Sequence, residues 1–438
     1  MRKLYEEDAV FDRFSAFDTD TGRLEAIDGA AFREAPVHAQ NAETEPGIVR
    51  REGPGICTFA GSTSHTHTRF PRRIYFQITR NCNLQCEYCY LNCRAGQPHV
   101  PTDQVLEMAR YLGTNGLMEV RLTGGEPTTH PDFLRILDAF RESGVYVSVA
   151  TNGILSPMTI DGLARRKHLW VICSVDGARQ THNRFRPGTF DRILANLREL
   201  KERNPAIRLR LTTVLCRTNR HDIPELGKLV RSLDAESITF IPLRPQVRSP
   251  EVLEQMLDAR EFGEAVREIA EMGETLGIKV TTTIETKHAG KIWADPVVRK
   301  RFACAAGREA TNLDYDARRG VFLLYGCSYS PAPDPDAPPE IRRPFLAGEF
   351  APGNVSRFFD IWSDDTRWKI YRDSSLKPDE CRECEYFQNH TCVGSCPIQN
   401  VELSRIDTGE DVLAQLQDQI RHTSEWYCYR RVYDAESN

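Results

Sequence analysis

The sequence predicts an α/β protein, a partial (β/α)6 TIM-like barrel followed by a cysteine-rich C-terminal domain. Three observations support this fold class. Short apolar segments alternate with amphipathic ones between residues 74 and 277, several segments end at a glycine, and the cysteines concentrate in two groups, at 82–89 and 304–428. Such alternation is typical of a parallel sheet with right-handed crossover connections.

Six segments have the composition of buried strands, rich in aliphatic, aromatic and β-branched residues. The series begins with "IYFQIT" and ends with "SITFIPL". Because ligands bind at the carboxyl ends of parallel strands, the turns after the first four strands are expected to meet at one edge of the sheet. The predicted strands occupy residues 74–79, 119–125, 145–153, 169–177, 207–215 and 237–243.

The segments between these strands have apolar residues at helical spacing. One of them, "PDFLRILDAFRESG", begins with Pro and Asp and stops at Gly, which are common helix start and stop signals. The predicted helices occupy residues 103–116, 131–144, 190–203, 223–234 and 259–277.

The composition changes on both sides of the alternating region. Residues 1–72 are predicted to be a polar, irregular extension, because "HAQNAETEPGIVRREGPG" has the content of a loop. They lack the apolar strands and helices of a winged-helix peptide-recognition domain. The barrel is expected to cover residues 73–290. A proline-rich segment and seven late cysteines indicate a separate cysteine-organised domain at 291–438.

Length, charge and composition exclude several classes of protein. A chain of 438 residues is expected to form two or three structural units. A net charge of -5 makes nucleic acid a poor candidate partner. No apolar run reaches membrane-spanning length, and the start has no apolar signal-peptide core, so a cytoplasmic location is expected. In that compartment the 14 cysteines are expected to be metal ligands rather than disulfides.

The stretch "CNLQCEYCY" places three soft sulfur ligands, Cys82, Cys86 and Cys89, in one short loop with C-x3-C-x2-C spacing. Thiolates suit iron–sulfur clusters and zinc, which usually take four protein ligands. A set of three indicates an iron with an open position for a small chelating molecule. The alternative is a zinc site completed by Cys93 or a histidine, although the chain is expected to have left the turn by Cys93.

Four motifs in order, "CNLQCEYCY", "GGEP", "TNG" and "SVDG", resemble those of radical S-adenosylmethionine (SAM) enzymes over roughly residues 73–245. The resemblance implies that the three cysteines hold a [4Fe–4S] cluster whose fourth iron binds the amino and carboxylate groups of SAM. It also implies that reduction of this cluster cleaves SAM to a 5′-deoxyadenosyl radical, with the protein positioning the cofactors and excluding water.

The resemblance further assigns contacts with SAM. The glycines of "GGEP" permit close backbone approach, and its glutamate can accept from the methionyl ammonium. Arg186, twelve residues after Ser174, is expected to pair with the SAM carboxylate through its guanidinium fork. The predicted set is Gly124, Gly125, Glu126 and Pro127 at the amino group, Tyr88 and the Leu243 backbone at adenine, Asn152, Ser174 and Asp176 at the ribose, and Arg186 at the carboxylate.

The late block "CRECEYFQNHTCVGSC" has C-x2-C-x7-C-x3-C spacing, for which a zinc ribbon is the plain alternative. After a radical SAM core, and with three outlying cysteines, it is similar to the SPASM extension, which carries two auxiliary Fe–S clusters, expected here to be [4Fe–4S]. The resemblance implies a distal cluster and a cluster nearer the active site. The first is assigned Cys381, Cys384, Cys392 and Cys428, and the second Cys304, Cys327 and Cys396.

Enzymes of this type mostly modify ribosomally made peptides by crosslinking, epimerisation or dehydrogenation, and this is the predicted reaction class. Ser328 follows Cys327, which counts against the sulfatase-maturating subfamily. The alternatives are the same chemistry on a carbohydrate or another small-molecule intermediate, and a non-catalytic Fe–S electron carrier. Expected partners are the substrate, an electron donor such as flavodoxin or ferredoxin, and a separate peptide-recognition protein, but neither nucleic acid nor a membrane. The catalytic base is not identified.

Overall fold

The computed structural model describes six N-terminal strands, almost all of the barrel, and most of the chain from residue 304 onward. The described residues are 3–8, 13–18, 23–27, 49–50, 56–58, 66–167, 169–244, 250–282, 304–334, 337–388, 394, 396–398, 401 and 405–422. None of the helices in these ranges is long and apolar enough to cross a membrane.

The described segments of the N-terminal region are mostly strands, which the prediction of an irregular extension did not include. A four-stranded sheet has the order β3-β2-β1-β4, and a small hairpin follows it. Its apolar residues are few and lie between charged ones, but the register pairs Phe17 with both Leu4 and Leu24 across neighbouring strands. The strands are β1 Lys3–Asp8, β2 Arg13–Asp18, β3 Arg23–Ile27, β4 Val49–Arg50, β5 Ile56–Thr58 and β6 Thr66–Thr68.

The predicted parallel α/β sheet is confirmed. All six predicted strands are present, a seventh parallel strand follows them, and neighbours in sequence pair side by side from β7 to β13. The strands are β7 Arg73–Thr79, β8 Glu119–Gly124, β9 Tyr146–Thr151, β10 Trp170–Ser174, β11 Arg208–Leu215, β12 Ser237–Pro242 and β13 Lys279–Thr281.

Helices connect these strands, and the five predicted ones are confirmed to within a few residues. The sequence pattern missed three short helices, Pro157–Ala164, Arg179–Phe185 and Pro250–Leu253, which span too few turns to show a clear helical repeat. The helices are α1 Thr102–Thr114, α2 Phe133–Glu142, α3 Pro157–Ala164, α4 Arg179–Phe185, α5 Phe190–Arg203, α6 Ile223–Ser232, α7 Pro250–Leu253 and α8 Ala259–Leu276.

The chain after residue 304 is not structurally separate from the barrel, contrary to prediction. β14 Ala310–Asp316 pairs in parallel with β7, and the antiparallel strands β15 Val321–Tyr325 and β16 Leu346–Phe350 extend the same sheet. Phe322 contacts Phe76 at a ring-centroid distance of 6.1 Å, so both regions share one core. Short helices follow: α9 Pro339–Arg342, α10 Arg357–Ser363, α11 Lys369–Arg372, α12 Asp379–Arg382, α13 Glu385–Gln388 and α14 Val412–His422.

The two faces of the barrel sheet differ in their surroundings. Residues on the outer face, such as Phe76 and Leu211, are fully buried in a core shared with the helices. Because side chains alternate along a strand, the residues between these core positions line the inner face of the barrel. Some of them, such as Tyr75, Arg121 and Arg210, are half-buried, whereas Trp170 and Ile172 are buried in a separate small cluster.

Candidate functional site

The three-cysteine loop begins at the carboxyl end of β7, as predicted. The Cys82 backbone N–H donates to the Arg94 carbonyl oxygen at 3.3 Å, and that of Cys89 donates to the Cys86 carbonyl at 3.1 Å. All three thiols are half-buried. The Leu84 N–H lies 3.5 Å from the Cys82 sulfur, a contact that favours the thiolate.

The thiols of the loop differ in acidity. Burial raises the pKa of Cys82, and raises that of Cys86 to about 11. A side-chain hydrogen bond from Cys93 lowers the pKa of Cys89 to about 6. The turn ends at Leu91, before Cys93 as predicted, but this side-chain contact with Cys89 still places Cys93 beside the loop.

The chemistry of these donors fits an iron–sulfur cluster. Three half-buried thiols on one loop are soft ligands, and the coordination of iron makes them thiolates whatever their metal-free pKa. Within the described part of the chain, no three His, Cys, Asp or Glu side chains converge as they would around a single metal ion. The identity of the group stays an inference from the donor set.

The "GGEP" turn is held directly against the cysteine loop. The Gly125 N–H donates to the Thr79 carbonyl and the Glu126 N–H donates to the Asn81 carbonyl, both at 2.9 Å. Gly124 has φ +137°, which L side chains rarely adopt, and a Cβ on it would lie 2.1 Å from the Thr79 oxygen. The glycines thus allow the close backbone approach expected of them.

We predict that Gly125→Ala disturbs the cysteine loop. A Cβ there would lie 2.4 Å from the Asn81 carbonyl oxygen, so one of the two backbone segments must move. Overpacking of this kind costs about 1–3 kcal/mol. Thermal unfolding and SAM binding of the anaerobically reconstituted protein measure the effect. Gly96→Ala is the control, since its Cβ meets no atom within 4 Å and adds only backbone strain; equal effects of the two changes on SAM binding would contradict the prediction.

Glu126 is fully buried and links two strand ends. Its Oε1 accepts from the Thr151 hydroxyl at 2.9 Å and from the Thr128 N–H at 3.1 Å, and its Oε2 accepts from the Asn152 N–H at 2.7 Å. Asn152 in turn donates through Nδ2 to Asn83 Oδ1 at 2.7 Å, which connects the "TNG" turn to the cysteine loop. The carboxylate therefore organises this edge, whereas its contact with an ammonium stays a prediction.

A buried ion pair joins the cysteine loop to the "SVDG" turn. Arg186 Nε lies 2.7 Å from Asp176 Oδ2, and Arg186 Nη2 donates to the Tyr88 hydroxyl at 2.7 Å. The Tyr88 hydroxyl donates to the same Asp176 oxygen, and Asp176 Oδ1 accepts from the Val214 N–H at 2.9 Å. Both carboxylate oxygens of Asp176 thus already accept hydrogen bonds from groups of the protein. The predicted contact with a ribose hydroxyl therefore requires one of these oxygens to accept a further hydrogen bond.

An apolar cluster lies beside this ion pair. Phe185, Cys216, Leu243 and Val252 form it, and Tyr88 packs against them. The Leu243 N–H donates to the Leu215 carbonyl at 2.9 Å, so the backbone that was predicted to contact adenine is fixed in position. Tyr88 and Leu243 thus border the same apolar cluster, and their contacts with adenine stay predictions.

The remaining predicted contacts lie at the same edge of the sheet. Ser174 is half-buried at the last position of β10, and Pro127 is buried at the start of a short 3-10 turn after "GGE". Their contacts with SAM stay predictions.

Three late cysteines assigned to the near cluster share one neighbourhood. Burial, and then the charges of Cys396 and Cys304, raise the pKa of Cys327 to about 12. Of the distal set, the Cys384 N–H donates to the Cys381 carbonyl at 3.1 Å. Cys392 and Cys428 lie outside the described residues, and the ligand roles of the whole set stay predictions.

Sequence reasoning missed an aromatic contact between the cysteine loop and the near set. The rings of Tyr90 and Tyr329 lie 4.4 Å apart between centroids. Tyr90 directly follows Cys89, and Tyr329 is two residues after Cys327. Their spacing from cysteines was visible in the sequence, but a contact across more than two hundred residues was not.

The fold and the site together define a class of protein. A parallel α/β barrel with a C-x3-C-x2-C loop after its first strand is the arrangement of radical SAM proteins. Among solved structures, Streptococcus suis SuiB bound to S-adenosylmethionine has this fold, with a TM-score of 0.59 and 17% identity over 76% of this chain and 74% of SuiB.

Sequence comparison makes the same assignment. The Radical SAM superfamily pattern matches residues 76–230. The AdoMet-dependent heme synthase of Methanosarcina barkeri is 30% identical over 342 residues, which cover 75% of this chain and 91% of that protein. The PqqA peptide cyclase of Rhodopseudomonas palustris is 23% identical over 381 residues, covering 84% and 93%. The chain belongs to the radical SAM superfamily.

Proposed function

We propose that the protein is a radical SAM oxidoreductase that oxidatively modifies its substrate inside the barrel. The observation that carries this proposal is the meeting of the cysteine loop, the Glu126 turn and the Tyr88–Asp176–Arg186 network at one edge of the sheet. Bound there, a [4Fe–4S] cluster and SAM supply a 5′-deoxyadenosyl radical that takes a hydrogen atom from the substrate.

The residues of this chain prepare the site before SAM arrives. Asp176 and Tyr88 fix the Arg186 guanidinium through Nε and Nη2. Within the described ranges Nη1 makes no hydrogen bond, and it is the group we assign to the SAM carboxylate. A guanidinium that is already oriented loses little freedom on binding, which is the benefit of preorganisation.

The late cysteines are proposed to hold two auxiliary clusters. Cys304, Cys327 and Cys396 are assigned to the near cluster, and Cys381, Cys384, Cys392 and Cys428 to the distal one. The near set is separated from the cysteine loop by the Tyr90–Tyr329 contact. A cluster held by this set would supply an acceptor for the electron that remains after hydrogen abstraction, and an external donor such as flavodoxin or ferredoxin is the proposed reductant of the cluster held by the cysteine loop.

The first candidate substrate is a ribosomally made peptide, which is crosslinked, epimerised or dehydrogenated. Its support is the similarity to a peptide cyclase over most of both chains. A separate peptide-recognition protein remains part of this proposal. The N-terminal strands β1–β4 form a sheet within this chain. Such a sheet is an alternative surface for binding the peptide, so the case for a separate recognition protein is weaker.

The second candidate is a small molecule modified by the same chemistry. The similarity to a heme synthase, at 30% identity over 91% of that protein, favours it. The half-buried, arginine-bearing inner face of the barrel also suits a compact charged substrate.

An anaerobic assay separates these candidates. Reconstituted protein, SAM and reductant are incubated with short precursor-like peptides or with small organic acids, including iron porphyrins, and 5′-deoxyadenosine is measured. The true substrate class is expected to raise 5′-deoxyadenosine above the substrate-free level; its mass falls on crosslinking or dehydrogenation, whereas epimerisation is detected by deuterium uptake from D2O. A protein that is reduced but never consumes SAM is the electron carrier of the third alternative, and the proposal then fails.

A further inference from the structure

The amino-terminal half of the barrel's inner face carries four arginines around one tryptophan, a group that we call the arginine floor. Its members are Arg73 on β7, Arg121 on β8, Trp170 on β10, and Arg208 and Arg210 on β11. The guanidinium carbons of Arg210, Arg208 and Arg121 lie 4.0, 4.7 and 6.0 Å from the Trp170 ring centroid. The known site lies at the opposite, carboxyl ends of these strands.

Two carboxylates neutralise part of this charge. Glu119 lies 2.6 Å from Arg73 and 3.2 Å from Arg121, and Glu236 lies 2.7 Å from Arg208. Burial alone would raise the pKa of Glu119, but the two arginines lower it to about 2. Glu119 is therefore fully ionised, and the described residues of the floor still carry two more guanidinium groups than carboxylates.

Arg210 is the cation without a carboxylate. Within the described ranges its partners are the Ser237 hydroxyl, to which Nε donates at 3.0 Å, and the Trp170 ring. Burial, reinforced by the charges of Arg121 and Arg73, lowers the pKa of Arg210 to about 9. A partly buried charge in these surroundings is stabilised when an anion joins it.

Trp170 gives a second, independent indication. The residue is 8% exposed, and its Nε1 is buried with no hydrogen-bond acceptor among the described residues. Buried donors nearly always have a partner in native structures. The floor thus combines an excess of cations with a buried indole donor that has no acceptor among the described residues.

The floor and the candidate SAM site lie at opposite ends of the inner face of the barrel sheet. Inner-face residues above it, including Thr212, Val214 and Ile241, are half-buried, while their outward neighbours Thr213 and Phe240 are fully buried. From Arg210 to the end of β11 at Leu215 the strand rises by roughly 16 Å. A substrate held at the floor has to span this distance to reach the candidate SAM site.

We propose that the arginine floor, with Arg210 and Arg121 as its principal ligands, binds a carboxylate of the substrate inside the barrel. The catalytic meaning of this subsite rests on the proposed function, because the carboxylate orients the rest of the substrate toward the cysteine loop. The carboxylate belongs to a small polycarboxylic acid or to an acidic peptide residue. If the floor served only to stabilise the fold, each guanidinium would be expected to pair with a carboxylate, as Arg208 pairs with Glu236.

The test measures the binding of two carboxylate probes to the reconstituted full chain without SAM, by calorimetry and thermal shift. The probes are tricarballylate and the blocked tripeptide acetyl-Ala-Glu-Ala-amide. The glutamine tripeptide and sodium chloride at equal ionic strength are their uncharged and ionic controls. Arg210→Met removes the unpaired cation, Arg210→Lys keeps the charge without the planar fork, and Arg220→Met, an outer arginine paired with Glu264 and Glu268, is the matched control.

Wild-type protein and Arg220→Met are expected to bind at least one probe, and the probe that binds identifies the source of the carboxylate. Arg210→Met should bind it about ten- to a hundredfold more weakly, with Arg210→Lys in between. Circular dichroism checks folding, and if Arg210→Met does not fold, the comparison rests on Arg210→Lys. Absence of carboxylate-specific binding to the wild type, or equal binding by the folded Arg210 variants, overturns the proposal.

The outcome is independent of SAM chemistry. Carboxylate binding that depends on Arg210, in a protein that fails to cleave SAM, would leave the floor standing and remove the proposed function. SAM cleavage by a protein that does not bind either carboxylate probe would support the proposed function and overturn the carboxylate subsite.

Discussion

The triple variant Cys82→Ala, Cys86→Ala, Cys89→Ala is expected to form no 5′-deoxyadenosine. These three thiols are the soft ligands of the loop at the end of β7, and an iron centre without them cannot be held beside Glu126 and Arg186. Liquid chromatography of an anaerobic, dithionite-reduced reaction measures the product. Iron bound through the late cysteines is expected to remain, because those ligands come from the region after residue 304.

The matched control is Cys173→Ala. Cys173 is fully buried in the core on the outer face of β10 and belongs to neither cysteine set. Its replacement is expected to lower stability modestly while leaving SAM cleavage intact. Formation of 5′-deoxyadenosine by the triple variant would place the SAM site elsewhere in the chain.

Arg186→Met is expected to lower both stability and SAM affinity, for two separable reasons. Removing the guanidinium leaves the fully buried Asp176 carboxylate without its ion-pair partner, which costs about 3–5 kcal/mol. It also removes the proposed contact with the carboxylate of SAM, so SAM affinity is expected to fall by roughly tens- to hundreds-fold. Denaturant unfolding measures the first effect and equilibrium binding of SAM the second.

The double variant Arg186→Met, Asp176→Asn separates the two effects. Removing the orphaned charge is expected to restore most of the lost stability, whereas SAM affinity should stay low. Recovery of affinity along with stability would show that Arg186 acts only by supporting the fold, and that its assignment to SAM is wrong.

The barrel could be predicted from the sequence because the patterns that indicate its strands and helices are local in the chain. Buried parallel strands such as β7 and β12 are rich in β-branched and aromatic residues, and long helices such as α5 repeat apolar residues at regular spacing. The N-terminal sheet gave no such signal, since residues such as Phe17 and Leu24 meet only across strands. The extension of the barrel by β14 likewise depends on a pairing between residues far apart in the chain.

The site was predictable as a set of motifs but not as a network. The motifs identified which turns meet at the carboxyl edge. They did not show that Asp176 is engaged by Arg186 and Tyr88, or that Cys93 lies against Cys89, because both depend on side-chain directions within loops. The arginine floor depends on strand register, which places Trp170 beside Arg208 although each residue alone reads as an ordinary strand position.

The central claim is that the cysteine loop and the adjoining edge of the barrel support reductive cleavage of SAM. The most direct test is to quantify 5′-deoxyadenosine and methionine from SAM in the anaerobically reconstituted full-length protein before and after reduction. We expect 5′-deoxyadenosine and methionine to form in equal amounts, only after reduction, and not in the triple cysteine variant. Iron-loaded, reduced protein that binds SAM but yields neither product would contradict it.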